Sequence, residues 1–145
     1  MNAKKYCYDY PRPSVTVDIV LIAEFVSDKK ILLIERKHDP FKGMWALPGG
    51  FVDENEDLND AACRELKEET GIENIKIMQF GAFGKPGRDP RGHTVAIGFM
   101  AILPSTINVT AGDDAAQAMW FSVNKLPDLA FDHDEIIKKA LEMRE

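Results

Sequence analysis

Apolar and polar positions alternate through residues 15–25. Val15, Val17, Ile19, Leu21, Ala23 and Phe25 fall on one side, with Thr16, Asp18 and Glu24 on the other. Side chains of a strand point to alternate faces, so this spacing predicts a long strand with one face in a core. Val20 and Ile22 make the second face partly apolar, which predicts a cover there too. Residues 27–30 read as a turn. Residues 31–34 form a continuous apolar run, suited to a strand buried on both faces. Residues 45–47 and 51–52 predict short strands on either side of Pro48, Gly49 and Gly50. Residues 75–83 and 94–103 predict a hairpin with a long loop. Residues 104–118 predict a further loop, and residues 119–123 a short strand.

Helical spacing occurs twice. Over residues 57–70, Leu58, Ala61, Ala62 and Leu66 repeat at helical intervals, and Gly71 stands where a left-handed cap belongs. Near the end, Ile136, Ile137, Ala140 and Leu141 form a second stripe. Asp132 is placed to cap that helix, Glu135 to reach back, and Phe131 to staple onto Ile136. Strands alternating with helices give an α/β domain over residues 13–145, preceded by an N-terminal arm at residues 1–12.

The first helix carries the candidate chemistry. At about 100° per residue, Glu65 and Glu69 fall inside the apolar stripe and Glu68 lies beside it, while Asp60 and Lys67 point to water. Charges aimed at a core are costly unless paired or bound to metal. Three carboxylates at i, i+3 and i+4 make a set of hard oxygen ligands suited to Mg²⁺. The competing reading is a solvated acidic face with an Arg64–Glu68 pair, contributing roughly 0.3–0.5 kcal/mol.

The residues from Gly50 to Ile72 also carry a resemblance. Gly50, Glu56, the run Arg64-Glu65-Leu66, Glu68-Glu69 and Gly71-Ile72 match the Nudix box of the Nudix hydrolase family at every fixed position. The resemblance implies an α/β/α sandwich with a mixed β-sheet between helices. It also implies cleavage by water of a diphosphate joined to another group, with Mg²⁺ or Mn²⁺. It assigns metal binding or water activation to Glu65, Glu68 and Glu69, and pairing of Arg64 with Glu56 to hold helix and loops. The backbone at Gly49 would approach the metal. Members of the family often bring one more acid from outside the box, and Asp113 and Asp114 are the candidates. The general base stays open between Glu65 and such an aspartate.

Substrate choice must come from outside the box. Lys85, Arg88 and Arg91 sit in a loop rich in glycine, proline and charge, GKPGRDPRG. Guanidinium forks there could meet phosphates bidentately, against the plainer reading of a solvated turn. The segment GRDPRG, with Pro86, resembles the family's ADP-ribose-hydrolysing members. That likeness implies conversion of ADP-ribose to AMP and ribose 5-phosphate, with Arg88→Ala expected to raise KM. Phe41 and Trp45 could stack on adenine or simply fill the core. Two alternatives are hydrolysis of oxidised nucleoside triphosphates and a ligand sensor. The sensor resembles the Nudix domain of repressors of NAD biosynthesis that carry a DNA-binding domain. The intact box and a chain stopping at Glu145 are read as favouring the enzyme.

Composition narrows the partners. The chain has 145 residues, 45% of them apolar, and a net charge of −6 from 24 acids against 18 bases. An acidic balance argues against bulk nucleic-acid or anionic-membrane binding, while a small nucleotide substrate is what the family resemblance implies. Cys7 and Cys63 lack metal-ligand spacing and read as free thiols of a reducing cytoplasm. Neither a secretory segment nor an apolar run of membrane-spanning length is present. Tyr6, Tyr8 and Tyr10 in the arm, with the apolar second face of the first strand, are expected to be covered in a homodimer.

Overall fold

The structure, a computed structural model, describes residues 5–112 and 114–144. In chain order the elements are β1 (Ser14–Glu24), β2 (Lys29–Arg36), β3 (Trp45–Ala46), β4 (Gly49–Phe51), α1 (Leu58–Thr70), β5 (Met78–Phe83), β6 (Thr94–Leu103), β7 (Ala115–Ser122) and α2 (His133–Arg144). One mixed sheet contains all seven strands. β1 and β6 run parallel at its centre, and the β5–β6 hairpin is antiparallel as expected.

The alternation along β1 sorts the two cores. Val17, Ile19 and Leu21 pack with Ala61, Ala62 and Leu66 of α1. Val20 and Ile22 pack with Ile136, Ile137 and Ala140 of α2. The second face of β1 is therefore covered by the chain's own terminal helix. This corrects the expectation that a partner subunit would cover it.

The sheet splits where the site forms. Ile22, Ala23 and Glu24 pair with β2, whereas Thr16, Val17 and Asp18 pair with β4, both along the edge of β1 that faces away from β6. β2 meanwhile pairs with β7 on one edge and, at Ile34 and Glu35, with β3 on the other. β1 and β2 thus diverge, and the segment from β3 through Leu47 and Pro48 to β4 crosses the gap. A backbone bond from Ile19 N–H to the Pro48 carbonyl, at 2.8 Å, pins the crossing.

Other boundaries differ from the pattern-based ones for identifiable reasons. β5 begins at Met78, because Ile72, Ile75 and Ile77 pack onto the α1 core instead of pairing. β7 begins at Ala115, because the free edge of β2 pairs as far as Arg36, although residues 115–118 show no apolar alternation. Asp132 accepts the Glu135 and Ile136 N–H groups through its backbone carbonyl, while its carboxylate goes elsewhere. Phe131 packs beside Ile34 and Ala46, in a cluster separate from Ile136. α1 ends as its sequence predicts, with Gly71 left-handed at φ 75° and its N–H bonded to the Lys67 carbonyl.

Candidate functional site

Arg64 is the hub of the acidic helix. Its Nε and Nη2 donate to both oxygens of Glu56, at 2.7 and 2.9 Å, and Nη2 also reaches the Phe51 carbonyl at 3.1 Å. Nη1 donates to Glu65 at 2.8 Å and to Glu68 at 3.2 Å. The fork ties helix, preceding loop and β4 together. Hydrogen bonding to Arg64 holds the Glu56 carboxyl down at about 2, so this bond persists at any physiological pH.

Glu69 is the unusual acid. Burial pushes its pKa up to about 8, and the nearby Glu65 and Asp18 charges push the same way. A hydrogen bond from the Gly49 N–H, at 3.0 Å, opposes them. Burial also raises the pKa of Glu65. Glu68 is more exposed and has its bond to Arg64. Gly50 leaves the space these acids need: a Cβ there would stand 2.6 Å from the Glu65 carboxylate. At Gly112 a Cβ would collide with the Glu68 carbonyl, and the Gly112 N–H bonds the Glu69 carbonyl at 3.1 Å. The β6–β7 loop is thus pressed against the end of α1.

Two clefts meet at Glu69. One is lined by Glu65, Glu68, Glu69, Gly112 and Asp114. Asp113 lies outside the described residues. Asp114 is largely exposed, 3.9 Å from His38. The acids suit a hard cation: two carboxylates with raised pKa values and a third beside them favour whatever neutralises them. Among the described residues no three acids close into a ready-made cage.

The other cleft lies in the split between β1 and β2. Thr16 and Asp18 lie on one side, Ile34 and Arg36 on the other, with Gly49, Gly50 and Phe51 of β4 and the side chains of Arg88, Arg91, Phe131 and His133. Arg36 donates to the Pro40 carbonyl at 2.7 Å, and its guanidinium lies 4.9 Å from the Phe131 ring. Arg91 lies 4.7 Å from Phe51 and 5.3 Å from Phe131, and is paired with Asp89 at 2.9 Å. Phe131 holds its place with a left-handed backbone, φ 53°, an uncommon conformation for a bulky residue. Desolvation lowers the pKa of Arg36, and repulsion from Arg91 adds to it. Two guanidiniums crowded on one ring form a setting for an anion.

At the cleft floor, Leu47 N–H donates to His133 Nδ1 at 3.0 Å, so the neutral imidazole carries its proton on Nε2. Burial lowers the His133 pKa. Nε2 stands 3.5 Å from Asp18, whose own pKa burial raises.

The remaining sequence candidates are spread more widely. Arg88 lines the cleft, but its fork is committed to Asp132, at 2.8 and 2.5 Å, with its side chain 4% exposed. Lys85 is exposed and lines neither cleft. Trp45 packs edge-on against Phe121 in the α2 core, and Phe41 edge-on against Phe131, behind the cleft wall. Sequence reasoning passed over Thr16, Asp18, Arg36 and His133. Thr16 and Asp18 carried a signal: they are the polar members of a strand face that continues as Val20 and Ile22.

The chain is similar to known proteins over most of its length. The NUDIX domain pattern matches residues 13–140. The chain is 48% identical over 138 residues to an ADP-ribose pyrophosphatase of Methanocaldococcus jannaschii, covering 94% of this chain and 78% of the relative. It is 37% identical over 136 residues to the ADPR responsive transcriptional repressor NtrR of Acinetobacter baylyi, covering 91% of this chain but 54% of the repressor. The crystallised NUDIX domain of Shewanella oneidensis NrtR, complexed with ADP ribose, superposes with a TM-score of 0.88 at 32% identity, covering 95% of this chain and 94% of that one. By pattern, identity and fold, the chain belongs to the Nudix family.

Proposed function

We propose that this protein hydrolyses ADP-ribose to AMP and ribose 5-phosphate, using Mg²⁺ with Mn²⁺ as a substitute. The observation that carries the reading is Glu69, buried where an acidic cleft meets an arginine-lined one. Likeness to the archaeal ADP-ribose pyrophosphatase over 94% of the chain supports the substrate. Glu65, Glu68, Glu69 and the Gly49 backbone would hold the metal, which when bound supplies Lewis-acid activation of water and masking of phosphate charge. The chain's own contributions are distinct. Arg64 and Glu56 hold the acidic helix against β4. Arg36 and Arg91 offer positive charge to the diphosphate. Glu65 or an aspartate of the β6–β7 loop accepts the proton of the attacking water.

A sensor is the second reading, favoured by the likeness to repressors and by the related NUDIX domain that binds ADP ribose. Hydrolysis of oxidised nucleoside triphosphates is the third. AMP release measured with Mg²⁺ over ADP-ribose, ADP-sugars, dinucleotides and triphosphates separates them. ADP-ribose is expected to give the highest kcat/KM. Binding without turnover would establish the sensor, and faster triphosphate cleavage would defeat the substrate assignment. Among the described residues no helix is long and apolar enough to cross a membrane. Cys7 and Cys63, exposed and not joined in a disulfide, suit a reducing cytoplasm.

A further inference from the structure

Asp18 is a carboxylate set deep in the fold, at 6% exposure, with no hydrogen bond from the protein among the described residues. His133 Nε2 stands 3.5 Å away, beyond good hydrogen-bond length. No deeply buried side-chain oxygen among the described residues lacks a partner, so the Asp18 oxygens open onto the cleft they line. Gly49 makes room for them: a Cβ there would stand 2.7 Å from Asp18 Oδ1 and collide with the Val17 carbonyl. The next polar residue on the same face of β1 is Thr16, also buried and lining the cleft. Beyond Asp18 that face turns apolar, with Val20 and Ile22 under α2.

An ionised carboxylate accepts hydrogen bonds and donates none. With no protein hydrogen bond to Asp18 among the described residues, its carboxylate is matched by ligand donors or by a cation. The guanidiniums of Arg36, Arg88 and Arg91 line the same cleft and disfavour a second metal ion there. Neutral donors remain, and a hydroxyl beside Thr16 can both donate to Asp18 and accept from the threonine. We propose that Asp18, assisted by Thr16, is a specificity-determining residue that accepts hydrogen bonds from the hydroxyls of a ribose whose phosphate is met by Arg36 and Arg91. The inference rests on the ADP-ribose reading and deepens it. The ribose has two possible sources in that substrate, the terminal sugar and the adenosine.

Titration calorimetry with Mg²⁺ tests it with two ligand pairs: ribose 5-phosphate against methyl phosphate, and AMP against 2′,3′-dideoxy-AMP. In the wild type the hydroxyl-bearing member of one pair binds about tenfold to a hundredfold more tightly, as a hydrogen bond to a charged group implies. The pair that shows the advantage names the source. In Asp18→Asn the advantage shrinks to about twofold or less. Equal binding within both pairs in the wild type overturns the proposal without any variant, as does an advantage that survives Asp18→Asn. Turnover of ADP-ribose without a hydroxyl advantage sinks this subsite alone. A hydroxyl advantage without turnover sinks the hydrolase reading and leaves the subsite standing.

Discussion

At the scale of single residues, the candidate site holds Glu69 and, in part, Glu65 where water solvates them poorly. Among the described residues the Glu69 carboxylate has one hydrogen bond, from the Gly49 N–H, to set against its burial. Glutamine preserves its shape and removes the charge that a cation would use. Glu69→Gln is therefore expected to fold normally and to lose turnover by at least about a hundredfold, since metal-held charge contributes several kcal/mol at a transition state. Activity at saturating Mg²⁺, alongside a melting curve, is the check; near-wild-type turnover would remove Glu69 from the metal set. Glu65, Glu68 and Glu69 were legible because a helix converts sequence spacing into a face, whereas the pairing of Arg64 with Glu56, which precedes the helix, was legible only through the family resemblance. Asp18, Arg36 and His133 were not. Their meeting depends on three strands or helices arriving together, and no spacing within one segment encodes that.

At the scale of elements, the site depends on loops tied to helix ends. The β5–β6 loop is fixed to the start of α2 by the Arg88–Asp132 fork, and Arg88 Nη1 also lies 3.4 Å from the Thr94 carbonyl. The sequence shows an arginine in a charged loop, and phosphate binding is a natural expectation for it. Burial changes the expectation, because breaking one partner of a buried pair leaves the other charge uncompensated. Arg88→Ala should cost about 3 kcal/mol of stability, at the low end for a buried pair because Asp132 keeps some solvent contact. Urea titration measures it. A wild-type midpoint combined with a raised KM would return Arg88 to direct substrate contact. Element positions follow the same division: α1, β1 and the β5–β6 hairpin were readable from periodicity, whereas the first half of β7 is strand because β2 offers it an edge.

At the scale of the whole molecule, two faces of one sheet are closed by α1 and α2, which leaves the arm as the feature without an obvious role. Terminal helix α2 is itself secured by Arg144, which donates to both oxygens of Glu24 at 2.7 and 2.9 Å. The face it covers offers no ground for a partner subunit. The case for a homodimer therefore rests on the arm. Tyr6, Tyr8 and Tyr10 are 51, 49 and 80% exposed, a dense run of aromatic surface. Tyr6 and Tyr8 stack at 6.3 Å, and the Arg12 guanidinium sits 3.8 Å from the Tyr8 ring. Tyr6, Tyr8 and Arg12 line a surface hollow together with Phe51, whose ring also meets Arg91 of the arginine-lined cleft. Aromatic side chains with polar tips are favoured at subunit contacts. The expected outcome is a species of twice 16.3 kDa in sedimentation at micromolar concentration. A chain lacking residues 1–12 should sediment at monomer mass, and any loss of turnover that accompanies it should follow protein concentration. A full-length chain that stays monomeric removes the dimer and leaves the arm as a flap beside Phe51, in which case the truncation alters KM at every concentration.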